Sequence, residues 1–430
     1  MLVTSEVVVG NQVSPTEIAC RRDEKWGNHG DKDNDLMVGP LHIVVVGGSI
    51  GGLTAACLLR DSGHDVHIYE RSAVELQQRG AGIGFLPATY RYLKDRAGLD
   101  LASVCVQTDF IRYLNRQGDV TYELSHSYLF SSWNTVYSNM LRQLEPEKYV
   151  LGHELVDFKN TDSGAQARFA NGSIVDADLL IGADGIGSVM RTQLQPRATG
   201  QYAGYVAWRG MAHESVMPAE FVERLGDSIT YFVYQDSHIL VYPIPSGDGD
   251  VSAGNRMINF VWYRNYAEGE ELNDVLTDRS GNQRDISVPP GHVAVKHVEE
   301  LRSTAQRVLP EILSSVIQHT PEPFIQVIYD IEVEKMVFGR ICLLGDAAFA
   351  VRPHAAAGTA KASDDGWALD TAIRENKNLD EALRSWEARQ LTVGSRLLAR
   401  TRRIGSRSQF ENNWDPTDPE LIFGLHKPGD

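Results

Sequence analysis

The chain has 430 residues, with 41 Lys plus Arg against 57 Asp plus Glu, so its formal net charge is −16. Hydrophobic residues make up 42% and charged residues 23%, which excludes disordered, collagenous and disulfide-scaffold chains and leaves room for two or three domains. The acidic balance argues against nucleic acid and against an anionic membrane surface, since both need a surplus of Lys and Arg.

Residues 1–40 read as an extension outside the fold. The stretch 21–35 is dense in charge and almost free of apolar residues, so it cannot bury a core. It fits neither a secretory signal nor a mitochondrial presequence, and a cytoplasmic protein is expected. Cys20, Cys57, Cys105 and Cys342 are widely spaced and predict reduced thiols rather than a zinc site or disulfides. The run from Leu36 to Leu59 carries no charge apart from His42 and is long enough to cross a bilayer. Gly47, Gly48, Gly51 and Gly52 in its middle would weaken such a helix, so no membrane span is expected.

Leu41–Val46 predicts a strand, followed by the turn Gly47-Gly48-Ser49-Ile50-Gly51-Gly52 and a helix with Leu53, Ala56 and Leu59 in its pattern. Gly63 is placed to stop that helix, and His64–Tyr69 predicts a second strand ending at Glu70. Two further short buried strands are expected at Asp178–Ile181 and Ile341–Leu344. Between 201 and 337 the texture changes: Tyr, Trp and Val alternate with polar residues at Tyr202–Trp208, Tyr231–Tyr242 and Met257–Tyr263, which predicts an antiparallel sheet. Helical patterns cover His297–His319 and the stretch from Gly358 through Arg403, with loops at Ser246–Val251 and Asp278–Gly291. The predicted fold class is therefore mixed α/β: a Rossmann-like domain in two parts, 41–195 and 339–400, with an antiparallel β-sheet domain, 196–338, inserted between them. A C-terminal segment, 401–430, follows.

A strand that turns through glycines into a helix offers backbone N–H groups and a positive helix end to a pyrophosphate. Gly47 and Gly52 fill the first and third places of the G-x-G-x-x-G pattern, and Ser49 takes the second. Glu70, some 20 residues on, can accept hydrogen bonds from a ribose, which favours FAD or NAD over a phosphorylated ribose. Two later stretches favour FAD. Asp184 lies in Asp178-Leu-Leu-Ile-Gly-Ala-Asp-Gly-Ile-Gly-Ser-Val-Met-Arg191, and Asp346 in Cys342-Leu-Leu-Gly-Asp-Ala-Ala-Phe349. Asp346, just past a strand, suits a ribityl hydroxyl. The helix opening at Gly358 can turn its N–H groups to a flavin ring and stabilise negative charge there.

These three motifs, in this order, resemble those of the class A flavin-dependent monooxygenases, the para-hydroxybenzoate hydroxylase family, over about residues 41–400. Gly47-Gly-Ser-Ile-Gly-Gly-Leu53, Tyr202-Ala-Gly-Tyr-Val-Ala-Trp-Arg-Gly210 and Arg352-Pro-His-Ala-Ala-Ala-Gly-Thr-Ala-Lys-Ala362 are similar to the 2,6-dihydroxypyridine 3-monooxygenase branch. The resemblance implies that Gly47, Ser49, Ile50, Gly51 and Glu70 meet the adenosine diphosphate part of FAD, with Arg71, Gly80 and Ala81 nearby. It assigns Asp184 to FAD and the passing nicotinamide, Asp346 to the ribityl chain, and Gly358, Thr359 and Ala360 to the isoalloxazine. It implies NADH or NADPH and O2 as co-substrates, no separate nicotinamide domain, and a homodimer as a common state. Two departures stand out. Phe349 replaces a frequent His, and Val136 and Tyr137 occupy the places of a frequent His-Arg pair.

The chemistry implied is attack of an electron-rich hydroxylated ring, of hydroxypyridine or phenol type, on a flavin C4a-hydroperoxide. Such a site needs a base or proton relay, aromatic walls and exclusion of water. Tyr205, Arg209, His213, Tyr242 and His354 are the candidates to touch or activate the ring, with Trp208, Tyr231 and Tyr234 as further wall residues. Arg209 is expected either to bind a substrate anion or to sit in an ion pair, and Lys361 either to offset flavin charge or to face solvent. Two alternatives stand beside hydroxylation: a flavin dehydrogenase on the same scaffold without oxygen insertion, and a flavin redox module that acts through a protein partner.

Overall fold

The computed structural model describes residues 38–76 and 82–430. Nearly all of the 1–40 extension, with Cys20, and the expected cofactor contacts Gly80 and Ala81 lie outside the described residues. Among the described residues, no helix is long and apolar enough to cross a membrane.

The β-branched run His42–Val46 forms the centre of a six-stranded sheet, pairing in parallel with Asp65–Tyr69 on one side and Leu179–Gly182 on the other. Leu179–Gly182 pairs in parallel with Ile341–Leu343, so the three predicted motifs end beside one another although the first and last strands end at Val46 and Leu343. Leu179, Leu180 and Ile181 are fully buried, as strands covered on both faces require. The helix Ile50–Asp61 leaves the first strand through the glycine turn and stops before Gly63. It packs against the helix Gly358–Glu375 at backbone distance: a Cβ added at Gly51 would lie 2.9 Å from Ala362 Cβ, and one at Gly366 3.0 Å from Ala55 Cα.

The second sheet is larger than the sequence pattern suggests. Its central strands, Gln201–His213, Ser237–Ile244, Met257–Asn265 and Phe324–Glu332, are antiparallel neighbours within the predicted span. Beyond Ser228–Tyr234 the sheet continues through Val106–Leu114, Val120–Ser132 and Gly82–Gly84, which come from the stretch assigned to the cofactor domain. Residues 37–430 cluster as one compact unit. A three-stranded sheet, Leu155–Asn160, Ala165–Phe169 and Ile174–Ala177, was not foreseen. The predicted helix His297–His319 is two helices, Val295–Val308 and Glu311–Gln318. Pro310, which lacks an N–H, separates them. The last helical stretch likewise breaks into Gly358–Glu375 and Leu379–Ser406.

Period-two alternation divides the large sheet into two faces. Val206, Trp208, Val241, Phe260, Trp262 and Ile325 pack on one face with residues of the two helices, such as Leu301 and Leu313. Ala207, Arg209, Leu240, Tyr242, Val261 and Tyr263 line a cavity on the other. Trp208 and Arg209 are thus sequence neighbours with opposite duties. Trp208→Ala is expected to lower the unfolding free energy by about 3–5 kcal/mol. Arg209→Met, which empties no core space, should stay within about 1 kcal/mol of the parent chain. Urea denaturation of both variants checks the facing.

Candidate active site

The cavity, of about 1030 Å³, runs from the glycine turn to the inner face of the large sheet. It lies beyond the carboxyl ends of the parallel strands, where open α/β sheets bind ligands.

At the turn, Gly47 has φ +107°, and a Cβ there would overlap the Ala183 carbonyl. One at Gly52 would overlap the Gly47 carbonyl. Ser49 stands at the N-cap of the helix without making a cap hydrogen bond, and with Ile50, Gly51 and Arg71 it lines the cavity. Glu70 is buried and braces the turn: its carboxylate accepts from Gly48 N–H and Ser72 N–H, both at 2.9 Å. Each of its oxygens keeps a lone pair for a ribose hydroxyl. Tyr137, one of the two departures from the family pattern, acts on the same turn. Its hydroxyl lies 3.1 Å from that of Tyr149, which donates to the Gly48 carbonyl at 3.0 Å.

The second motif lines the cavity through Ala183, Gly185 and Ile186, while Asp184 turns to the backbone N–H of Met190 at 3.1 Å. Its other oxygen is buried without a partner, and burial raises its pKa. Arg191 ties this motif to the third by donating to the Ile186 carbonyl at 2.6 Å and the Ala347 carbonyl at 3.3 Å.

In the third motif, Asp346 lines the cavity and is exposed to its open space. Desolvation by the surrounding protein pushes its carboxyl up to about 6, opposed by Lys361 and Arg191 and reinforced by Asp365. Lys361 neither faces solvent nor enters the cavity. It is 1% exposed and pairs with Asp365 at 2.6 Å, which in turn accepts from Gly345 N–H at 2.7 Å. Its ammonium also lies 4.9 Å from the Phe349 ring, the other departure, a contact that favours an aromatic there. Gly358 and Thr359 begin the helix that points its free N–H groups into the cavity; Ala360 is buried behind them. Ala356, just before, holds a left-handed φ of +52°.

At the sheet end, Arg209 donates to Gln326 Oε1 at 3.1 Å and to the Gly82 carbonyl at 2.7 Å, and its Nε has no partner. Among the described residues, no carboxylate pairs with it. Tyr242 donates to the same Gly82 carbonyl at 2.9 Å, and burial raises its pKa against the pull of Arg209. Tyr263 and Phe130 complete an aromatic wall with Tyr242, which stacks on Phe130 at 4.1 Å.

The other expected catalytic groups are elsewhere. His213 ends its strand and caps a short turn, accepting from Ser215 N–H at 3.1 Å, and does not line the cavity. His354 and Tyr205 are buried behind the wall, with Nε2 and the hydroxyl 2.7 Å apart. Burial, with His238 and Arg352 nearby, holds His354 well below the ordinary imidazole range. Trp208 faces the opposite core, Tyr231 stacks on Tyr113, and Tyr234 bonds Trp262. Sequence reading missed Phe130, Tyr263 and Gln326 as wall residues; only the strand alternation through Met257–Tyr263 hinted at Tyr263.

FAD fits these residues. The glycine cradle admits no side chains, two helix N-termini open into the cavity, and a cavity of about 1030 Å³ exceeds what a small substrate alone requires.

Lys361→Met leaves Asp365 buried and unpaired, so a loss of about 3–5 kcal/mol in urea denaturation at pH 7 is expected. Burial also holds His238 down to about 3, against an ordinary 6.5. The unfolded chain therefore takes up protons that the folded chain refuses. Stability should fall as pH drops through 6.5 toward 5, and His238→Asn should make that slope shallower by about one proton, as read from urea midpoints across the range.

Residues 45–74 match the family described as NAD(P)-binding Rossmann-like domain, and residues 202–330 the one described as FAD binding domain-like. The chain is 36% identical to a 2,6-dihydroxypyridine 3-monooxygenase of Paenarthrobacter nicotinovorans, over 90% of this chain and 96% of the relative. The solved structure of 2,6-dihydroxypyridine-3-hydroxylase from Arthrobacter nicotinovorans is similar with a TM-score of 0.85 and 35% identity, covering 91% of this chain and 98% of the other. A Klebsiella pneumoniae protein complexed with FAD and uric acid shares the fold at 23% identity and a TM-score of 0.71, over 90% of this chain and 92% of that one. The cradle, the paired helix ends and these likenesses converge: the chain belongs to the FAD-dependent aromatic monooxygenases, which use NAD(P)H and O2.

Proposed function

We propose that this enzyme hydroxylates a single electron-rich ring that carries an ionised oxygen, of the hydroxypyridine class. The observation that carries this reading is Arg209. A guanidinium in a cavity, hydrogen-bonded only to neutral acceptors and without a carboxylate partner among the described residues, is uncompensated positive charge. Such a charge favours an anionic ligand. Ala207, Leu240, Val261, Phe130 and Ile328 form an apolar and aromatic patch in the same cavity, which suits a flat ring.

FAD, when bound along the glycine turn and the two helix ends, supplies the activation of oxygen. The remaining work belongs to the chain. Ser49, Ile50 and Gly51 would hold the diphosphate, with Glu70 for the ribose and Arg71 near the turn. Asp184 orders the helix after the second motif rather than facing the cavity, and Asp346 would take the ribityl chain. Gly358, Thr359 and Ala360 start the helix whose N–H groups would stabilise negative charge at the ring. Arg209 lowers the pKa of the ring hydroxyl, so the ring gives its proton to solvent and binds as the anion. Tyr242 and Tyr263 orient the ring, and the apolar wall keeps water from the reacting centre. His354 and Tyr205 hold the loop behind the wall and act by position. The same reading includes a cytoplasmic enzyme, in keeping with free, buried Cys57, Cys105 and Cys342, and a homodimer.

The test is a panel of hydroxypyridines and hydroxybenzoates with NADH or NADPH, following NAD(P)H oxidation and ¹⁸O from labelled O2. Labelled product from a hydroxypyridine is the expected result. Oxidised product without label points to the dehydrogenase chemistry instead. Arg209→Met should raise KM for the substrate by about 10- to 100-fold, the worth of a charge-assisted hydrogen bond, while FAD content stays unchanged.

A further inference from the structure

The C-terminal segment contributes to the cavity. Phe423 lies on its wall, more than 200 residues in sequence from Arg209. Its ring stacks on Tyr128 at 4.7 Å and meets Phe130 edge-on at 6.4 Å, and Phe130 stacks on Tyr242. Its N–H donates to the Tyr128 hydroxyl at 2.9 Å. The next residue, Gly424, donates to the Ala355 carbonyl at 3.2 Å, which joins the segment to the loop that starts the Gly358 helix.

One buried side chain holds this arrangement. Arg400, on the long last helix, donates to the carbonyls of Glu420 and Gly424, both at 2.9 Å, and to that of Ile422. Three carbonyls that would otherwise be orphaned at a segment without strand partners are thereby satisfied. Arg403 and Arg407 add outer pairs to Glu420.

We propose that Phe423 is a specificity-determining residue that limits the substrate end of the cavity to one ring, and that Arg400 is the positioning residue that holds it there. The proposal rests on the hydroxylase reading above. An aromatic wall fixed from outside the sheet closes the space beside Tyr242 and excludes water from it. Removing the benzyl group opens room for a second fused ring and for solvent.

The experiment uses the FAD-loaded full chain and the best single-ring substrate from the panel. Equilibrium binding is read from the change in flavin absorbance, and coupling from H2O2 formed per NAD(P)H oxidised. Phe423→Ala should weaken binding of the single ring on the order of tenfold. It should raise the H2O2 share and let a hydroxyquinoline bind better than in the parent. Phe423→Leu should recover most of the single-ring affinity, and it carries the test if the alanine variant folds poorly. Arg400→Met should shift binding and coupling in the same direction, and the double variant should be no worse than Phe423→Ala alone. Unchanged affinity and coupling in both Phe423 variants would overturn the proposal. Additive effects of the two positions would overturn the assigned role of Arg400. If the parent chain hydroxylates no ring, the functional reading fails instead, an outcome distinct from either.

Discussion

Everything at the cofactor end depends on two helices that touch at backbone distance. The helix Ile50–Asp61 and the helix Gly358–Glu375 meet through Gly51, Ala55, Ala362 and Gly366, with no room for larger side chains. Both begin at the cavity, so two positive helix ends stand side by side where a diphosphate and a reduced ring both carry negative charge. Beneath them, Asp365 takes the ammonium of Lys361 and the N–H of Gly345 together. That one carboxylate fixes the helix to the turn that presents Asp346. A buried ion pair of this kind contributes little net stability by itself. Its value here is registration of two elements that the chain order keeps apart.

The charge of the molecule and the charge of its cavity are opposite in sense. The chain carries −16, yet the cavity presents two helix N-termini, Arg71 near the turn and Arg209 on the sheet. Net charge therefore bears on polyanionic partners and says nothing of the substrate. Both bound groups are expected to bring negative charge into a space where few carboxylates face them. Asp346 is the one from the cofactor motifs, and its raised pKa reflects the same enclosure.

The buried cluster of Tyr205, His238, Tyr263 and His354 shows how enclosure selects chemistry. Each ring lies within about 6 Å of at least two of the others, and Gly405 leaves the space that Tyr205 and His354 fill. Desolvation disfavours the charged form of both imidazoles, so His238 and His354 resist taking up a second proton. A histidine next to a flavin-side loop looks like a base on paper. Desolvation makes this one a packing and hydrogen-bonding group. Only Tyr263 of the four lines the cavity.

The parallel strands, the glycine turn, the place of Glu70 and the helix at Gly358 were legible in the sequence, because each is a local signal: β-branched runs, glycines that alone fit the close approaches, and a motif order shared with a family. The chemistry that the motifs imply named Arg209 and Tyr242 among the candidates, together with residues that face away from the cavity. The membrane-length uncharged run resolved into strand, turn and helix for the same local reason. What the tertiary structure alone decided was facing and company. Whether Arg209 has a carboxylate, whether Lys361 meets solvent, and whether His213 or His354 reaches the cavity depend on residues hundreds of positions away. The hairpin Val106–Ser132 joined the large sheet, and Phe423 came to its cavity, through pairings that no local periodicity encodes. Periodicity sets which residues share a face; only the packed chain sets what that face meets.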